Sequence, residues 1–431
     1  MKLELRNVKH VHCIGIGGIG VSAIARMLHL QGKRVTGSDM SRSPMTAMLR
    51  KLGIRVFFGH RAANVPKDTD LVVYTRAVSR DNPELCAARR RGIPCLSYAE
   101  MLGVLSREKY TIAVSGAHGK TTTTAMMGHI LRKAKLLPTI IVGGIMADTG
   151  TNFVAGRGKY LVVEACEYKK SFLSIRPRII VITNIDNDHL DYYKNFKNIR
   201  CAFAEFAAKL PRGGFLVCGP RDQNLREAVR GTRATVVDFT KSPRIPGLKV
   251  LGAHNTKNAQ AALAAARVLG VPTKTAERAL RTFRGVRRRF ECKGAWRGIR
   301  FYDDYAHHPT EIKATLRAAR EHFGKKKRIW CVFQPHLYSR TRLLMKDFAR
   351  SFNDANGVLL ADIYAAREKD DGRTNSRTLA EKINAYTPAL YLGNFPHIAS
   401  FLKVHVAKGD VVVTMGAGEA YTVFDLIHKN K

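Results

Sequence analysis

Between Ser115 and Thr124 the chain reads Ser-Gly-Ala-His-Gly-Lys-Thr-Thr-Thr-Thr, directly after the apolar run Tyr110-Thr-Ile-Ala-Val114. A glycine-rich turn from a strand into a helix aims backbone N–H groups and the positive helix end at phosphates. In that setting Lys120 reaches the β/γ-phosphates of a nucleotide and Thr121 can ligand Mg²⁺. The full P-loop pattern has one more glycine, at the position of Val114; what stands here is the shorter Gly116-x-x-Gly119-Lys120-Thr121. The spacing predicts an ATP site.

A second glycine run, Gly15-x-Gly17-Gly18-x-Gly20, follows an apolar strand and precedes a helix, with Asp39 about 20 residues further on. It fits either NAD(P) or a nucleotide-diphosphate sugar. Other chemistry-bearing residues also follow apolar strands: Glu164-Ala-Cys-Glu167, Asn184-Ile-Asp-Asn-Asp188-His189, Asp303-Asp-Tyr-Ala-His307-His308 and Gln334-Pro-His336-Leu-Tyr-Ser-Arg340. Strand ends are where α/β folds gather metal and substrate ligands. Glu164 is placed to reach a phosphate-bound metal, and His189 suits a second cation or the transferred phosphoryl group. Asn255 and Asn258, three apart on one helical face, suit an adenine edge.

The elements that must carry these residues alternate strand and helix, which predicts α/β domains with mainly parallel sheets. Strands are expected at 8–14, 33–37, 56–58, 71–74, 94–96, 160–164, 179–183, 214–218, 299–302, 328–333, 357–361 and 410–414. Helices are expected over 21–30, 125–133, 258–269 and 274–283. Three domains follow: 1–108, 109–285 and 286–431, with Arg284–Arg289 as a hinge.

Composition narrows the class. Apolar content of 45% and charged content of 25% over 431 residues are those of a globular protein. No apolar run approaches the ~18–20 residues that span a bilayer, so no membrane insertion is expected. The first residues lack a signal peptide's apolar core, and the eight cysteines contain no Cys-x-x-Cys pair, which predicts a reducing cytoplasm. The net charge of +39 would suit a nucleic-acid binder, but the 73 Lys and Arg are spread along the chain without a basic tail. They read as a basic background that steers anionic substrates, and no nucleic-acid partner is expected.

Taken together, these motifs resemble the ATP-dependent Mur ligases of peptidoglycan synthesis over nearly the whole chain. The resemblance rests on Gly15–Gly20, Gly37-Ser-Asp39, Gly116–Thr123, Glu164–Glu167, Asn184–His189, His254-Asn255-x-x-Asn258, Arg288-Arg289-Phe290, Asp303–Pro309, Gln334-Pro-His336 and Gly416-Ala-Gly418. It implies a Rossmann-like N-terminal domain for a uridine-diphosphate sugar, a central P-loop ATPase domain and a C-terminal Rossmann-like domain. It further implies that Gly15, Gly17, Gly18, Gly20, Asp39 and His60 bind the sugar nucleotide. Gly116, His118, Gly119, Lys120, Thr121, Thr122, Asn255, Asn258 and Arg288 would bind ATP. Thr121, Glu164 and His189 would hold Mg²⁺, while Lys120, His189, Arg289, His336 and Arg340 would serve the chemistry. The implied substrates are UDP-N-acetylmuramate and L-alanine, handled by a monomer or homodimer; attachment of a recycled tripeptide is the alternative.

Three departures from the family pattern stand out: Cys166 with Lys169-Lys170 where acidic residues are usual, Leu337 where an arginine is usual, and a shorter chain. Arg342 or Arg367 could replace the missing cation. Sister ligases carry a carbamylated lysine near the position of Phe203; none stands there, as expected of the alanine-adding branch.

Overall fold

The computed structural model describes residues 4–366, 368–370 and 372–429, apart from the side chains of Asp191 and Lys429. Arg367 therefore lies outside the described residues. Three sheets follow one another along the chain. The first contains β1 (His10–Ile14), β2 (Arg34–Asp39), β3 (Arg55–Phe58), β4 (Leu71–Tyr74) and β5 (Cys95–Ser97), in the spatial order β3-β2-β1-β4-β5. All its pairings are parallel.

The second sheet contains β6 (Tyr110–Ser115), β7 (Thr139–Met146), β8 (Thr151–Val154), β9 (Tyr160–Glu164), β10 (Ile179–Ile182), β11 (Phe215–Cys218) and β12 (Thr235–Asp238). Its order is β12-β11-β10-β6-β9-β7-β8, with β7–β8 the antiparallel edge. The third contains β13 (Glu291–Trp296), β14 (Ile299–Asp304), β15 (Ile329–Phe333), β16 (Gly357–Ala361), β17 (Ala389–Gly393) and β18 (Val411–Met415), ordered β13-β14-β18-β15-β16-β17. Here only β13 runs antiparallel to its neighbour.

Strands buried on both faces read as continuous apolar runs rather than alternating ones. That is why Ile179-Ile-Val-Ile182, Gly357–Ala361 and Val411–Met415 are buried at every position. By contacts the chain forms two compact units. One comprises residues 1–186, 197–243 and 260–280 and holds the first two sheets; the other comprises 187–196, 244–259 and 281–431 and holds the third.

The expected strands are present within a residue or two at their ends. Strands β7, β8, β12, β13 and β17 were not expected. Gly143-Gly144 breaks the apolar run within β7, and β13 (Glu-Cys-Lys-Gly-Ala-Trp) carries a bulge between Cys292 and Gly294. Both are edge hairpins whose glycines and polar residues mask the apolar period. The helix after the phosphate loop begins at Lys120, five residues earlier than the apolar pattern indicates. Its first turn is threonine, whose role is set by the loop rather than by helix propensity.

Candidate active site

In the first unit, β6 lies between β10 and β9, with Val114 opposite Glu164 and Ser115 opposite Ile182. This register brings the ends of three strands to the loop 116–119. Gly116 has φ +129°, and a Cβ there would stand 2.2 Å from Thr183 Oγ1 and 2.9 Å from the Asn184 carbonyl. Gly119 caps the helix Lys120–Lys133 in the left-handed region at φ +83°. Both positions require glycine.

Lys120 folds back over the loop. Its Nζ donates to the carbonyls of Gly116 (2.6 Å) and Ala117 (2.9 Å) and to Glu167 Oε1 (2.9 Å). Burial alone would lower the ammonium's pKa; the Glu167 carboxylate beside it holds it above its ordinary value. Thr121 Oγ1 donates to Glu164 Oε1 at 3.0 Å, and the other Glu164 oxygen accepts from Gly143 N at 2.7 Å. A Cβ at Gly143 would reach within 2.6 Å of that carboxylate, so the unexpected strand β7 is what brings its amide to Glu164. A hydroxyl oxygen and a carboxylate oxygen facing one point are the hard donors that Mg²⁺ takes, and they fit such an ion.

The loop is also clasped from β10. His118 N donates to Asn184 Oδ1 (3.0 Å), while Asn184 Nδ2 (2.9 Å) and Thr183 Oγ1 (2.6 Å) donate to the His118 carbonyl. The His118 ring meets Asp186 Oδ2 at 2.9 Å. Thr122 is buried in the first helical turn. Cys166, between Glu164 and Glu167 in sequence, is exposed. The next residues, Lys169 and Lys170, adopt φ +50° and +55°. Phe203 stacks edge-on against Phe172, with ring centroids 5.4 Å apart, in an apolar cluster.

The other glycine run turns at Gly15 (φ +73°), whose N–H and that of Ile16 both donate to the Ser38 carbonyl. Gly18 caps the helix Ile19–Leu30, and a Cβ at Gly20 would collide with the Tyr98 ring. Asp39, at the end of β2, accepts from Gly17 N at 2.8 Å. His60 Nδ1 lies 3.0 Å from Ser38 Oγ.

In the second unit, Asp188 is the centre of a polar cluster. Its Oδ1 accepts from Arg340 Nη2 (2.9 Å) and from His189 N (2.7 Å), and Arg340 Nη1 meets His336 Nδ1 at 2.9 Å. Despite burial, the charges of His189 and Arg340 hold the Asp188 carboxyl well below the usual range. Asn187, Asp188, His189, Leu337, Ser339 and Arg340 line a cleft. Leu337 is buried there with φ +70°, and Arg342 is exposed.

Arg288 donates to Asp303 Oδ2 (3.0 Å) and to the Gly416 carbonyl (2.7 Å), whereas Arg289 pairs with Glu311 at 3.7 Å. Asp304 accepts from the amides of Phe290 and Ala306, and burial raises its pKa to about 6. The Asp303-Asp304 run thus fixes backbone and an arginine. His307 lies within 3.3 Å of Glu311, yet burial lowers its pKa to about 4, and burial with nearby Arg289 does the same to His254. Asn255 Oδ1 accepts from Asn258 Nδ2 at 3.0 Å, so the two amides share one face of the helix Ala253–Val268, as their spacing indicated.

Family models cover the chain in three stretches: the Mur ligase catalytic domain over residues 10–110, the Mur ligase middle domain over 114–245, and the Mur ligase glutamate ligase domain over 288–418. The chain belongs to the Mur ligase family. A UDP-N-acetylmuramate–L-alanine ligase of Alkaliphilus metalliredigens is 43% identical over all of this chain and 99% of its own length. The crystal structure of a UDP-N-acetylmuramate–alanine ligase from Thermotoga maritima superposes with a TM-score of 0.81 at 30% identity, covering 98% of this chain and 99% of that one. A murein peptide ligase from Psychrobacter arcticus, 24% identical with a TM-score of 0.73, shares the fold.

Within this Mur ligase, sequence reasoning found Lys120, Thr121 and Glu164 as neighbours, and likewise His336 and Arg340. It missed Asp186, the Gly143 amide and the hold of Thr183 and Asn184 on the loop. Strand-end polar residues beside a glycine loop were the available signal for the last of these.

Proposed function

We propose that this Mur ligase joins L-alanine to the lactyl carboxylate of UDP-N-acetylmuramate at the expense of ATP, a step of peptidoglycan precursor synthesis. One observation carries the reading: a phosphate loop whose lysine, threonine and facing carboxylate stand together, in a chain matching alanine-adding ligases end to end. The murein peptide ligase, being less similar, is the weaker alternative.

A carboxylate does not condense with an amine at neutral pH, because oxide is too poor a leaving group. Attack of a carboxylate oxygen on the γ-phosphorus of ATP gives an acyl phosphate and ADP. The amine nitrogen then attacks the acyl carbon, loses a proton, and the tetrahedral intermediate expels phosphate to leave the amide. Lys120 supplies fixed positive charge where the phosphoryl group transfers. The amides of loop 116–119 orient the phosphates, and Asn255 and Asn258 offer hydrogen bonds to an adenine edge. Thr121 and Glu164 would hold one Mg²⁺ and His189 would serve a second; when bound, such ions neutralise phosphate charge. Arg289 would steady the phosphates. His336 and Arg340 would receive the amino acid, Arg340 through a planar fork suited to a carboxylate. The Gly15–Gly20 loop, Asp39 and His60 would hold the sugar nucleotide. The reaction would run in the cytoplasm, in a monomer or homodimer.

Phosphate release, measured with UDP-N-acetylmuramate and ATP against L-alanine, glycine, L-serine and an alanine-led tripeptide, tests this. L-alanine should give the highest kcat/KM. Turnover with the tripeptide alone would replace the reading by peptide recycling.

A further inference from the structure

Glu84, in the first turn of the helix Pro83–Arg90, is fully buried and has no role in the chemistry above. Its carboxylate gathers donors from four places. Oε2 accepts from Ser38 Oγ at 2.5 Å and lies 3.3 Å from His12 Nε2. Oε1 accepts from Asn64 Nδ2 (2.6 Å) and from the backbone N–H of Arg61 (3.2 Å), and it lies 3.5 Å from His60 Nδ1. No lysine or arginine side chain is among these contacts, and the hydrogen bonds from His12, Ser38 and Asn64 nevertheless outweigh burial and keep the carboxyl below its ordinary pKa.

A buried carboxylate costs several kcal/mol to desolvate, and an apolar side chain of similar volume would be cheaper for packing. What Glu84 achieves is positional. Ser38 ends β2 beside Asp39, and His60, Arg61 and Asn64 form the segment that follows β3. One carboxylate therefore locks the ends of two adjacent strands. It also fixes a tautomer. Ser38 Oγ spends its hydrogen on Glu84, so it can only accept from His60, which must carry its proton on Nδ1. In the neutral ring Nε2 of His60 is then an acceptor.

We infer that Glu84 is a positioning residue for the sugar-nucleotide site, holding His60 as a hydrogen-bond acceptor for an N–H or O–H of the nucleotide. This rests on assigning the Gly15–Gly20 loop, Asp39 and His60 to the sugar nucleotide. Titration calorimetry of the full chain with UDP-N-acetylmuramate and, separately, with ATP tests it. Failure of the unaltered chain to bind UDP-N-acetylmuramate would remove the assignment itself. If it binds, Glu84→Gln, which turns one acceptor into a donor facing donors, should raise the Kd for UDP-N-acetylmuramate by about tenfold, the loss of one charge-assisted hydrogen bond, while that for ATP stays within about twofold. In a His60→Ala background the same change should cost less than about twofold, because Glu84 acts through His60. Ser38→Ala removes the bridge alone and should weaken the sugar nucleotide similarly; it decides the matter if Glu84→Gln does not fold. Unchanged sugar-nucleotide binding in these variants, equal losses for ATP, or additive losses with His60→Ala would each overturn the inference.

Discussion

Arg340 and Asp188, 152 positions apart in sequence, meet at 2.9 Å with both side chains about nine-tenths buried. Removing one partner of such a pair leaves the other charge buried and uncompensated, which costs more than the pair contributes. Asp188→Asn should therefore release Arg340 from its place beside His336. The expected result is a KM for L-alanine raised by about tenfold or more with that for ATP little changed, read from steady-state kinetics. An unchanged amino-acid KM would count against the Asp188–Arg340–His336 cluster as the acceptor site.

Lys120→Ala removes the cation held by Gly116, Ala117 and Glu167 at the mouth of the loop. Loss of a transition-state-stabilising contact typically costs roughly 10²–10³-fold in kcat. Single-turnover phosphate release measures it, with circular dichroism to confirm the fold. Activity above about a tenth of the original would sink the assignment of Lys120 to the phosphates.

Glu164→Gln should change the metal requirement before anything else. The carboxylate faces Thr121 Oγ1 at 3.0 Å and is oriented by Gly143 N. Losses around a metal site typically weaken affinity 10–100-fold, so half-saturating Mg²⁺ should rise by about tenfold or more. An unaltered Mg²⁺ dependence would place the ion elsewhere.

A side chain at Gly17 would collide with the Thr46 methyl at 2.8 Å and the Asp39 carboxylate at 2.9 Å. Gly17→Val should accordingly raise the KM for the sugar nucleotide and leave that for ATP unchanged. The reverse pattern, a disturbed ATP KM with the sugar nucleotide intact, would exchange the two nucleotide assignments.

Stability should fall on mild acidification. His254 and His307 titrate at about 4 in the fold against an ordinary 6.5, so between these values the unfolded chain binds more protons. Each then makes stability rise with pH, by about 1.4 kcal/mol per pH unit at most. Asp304, raised from 3.8 to about 6, acts the other way over its own interval. Two histidines outweigh one carboxyl, so stability present at pH 7 is lost progressively as pH falls from 6.5 toward 4. Thermal unfolding midpoints at pH 7 and pH 5 check this, and His254→Gln should shrink the difference between them.

The parallel sheets were legible because buried strands are continuous apolar runs, as Ile179–Ile182 is. The edge hairpins were not, since Gly143 and Gly294 serve close contacts rather than the strand period. Lys120, Thr121 and Glu164 were readable from motif spacing. Glu84 was not: in Asn82-Pro-Glu84 it reads as an ordinary acidic first turn, and only tertiary structure shows Ser38, Asn64 and His12 converging on it. The Leu337 departure has a physical counterpart in a buried side chain at positive φ lining the cleft with Arg340.

Asn184 grips residue 118 by its peptide groups, giving and taking one hydrogen bond each, as two facing residues of an antiparallel ladder do. A side chain thus imitates a strand one residue long and extends the sheet's bonding past the end of β10 into the phosphate loop. Since the grip ignores the side chain at 118, loop shape and loop chemistry can vary independently. Replacements of His118 would be tolerated geometrically, whereas a change at Asn184 would slacken the loop without altering a single residue in it. Substitutions in the loop should then depend on which residue stands at 184, an epistasis written into backbone contacts rather than side-chain ones.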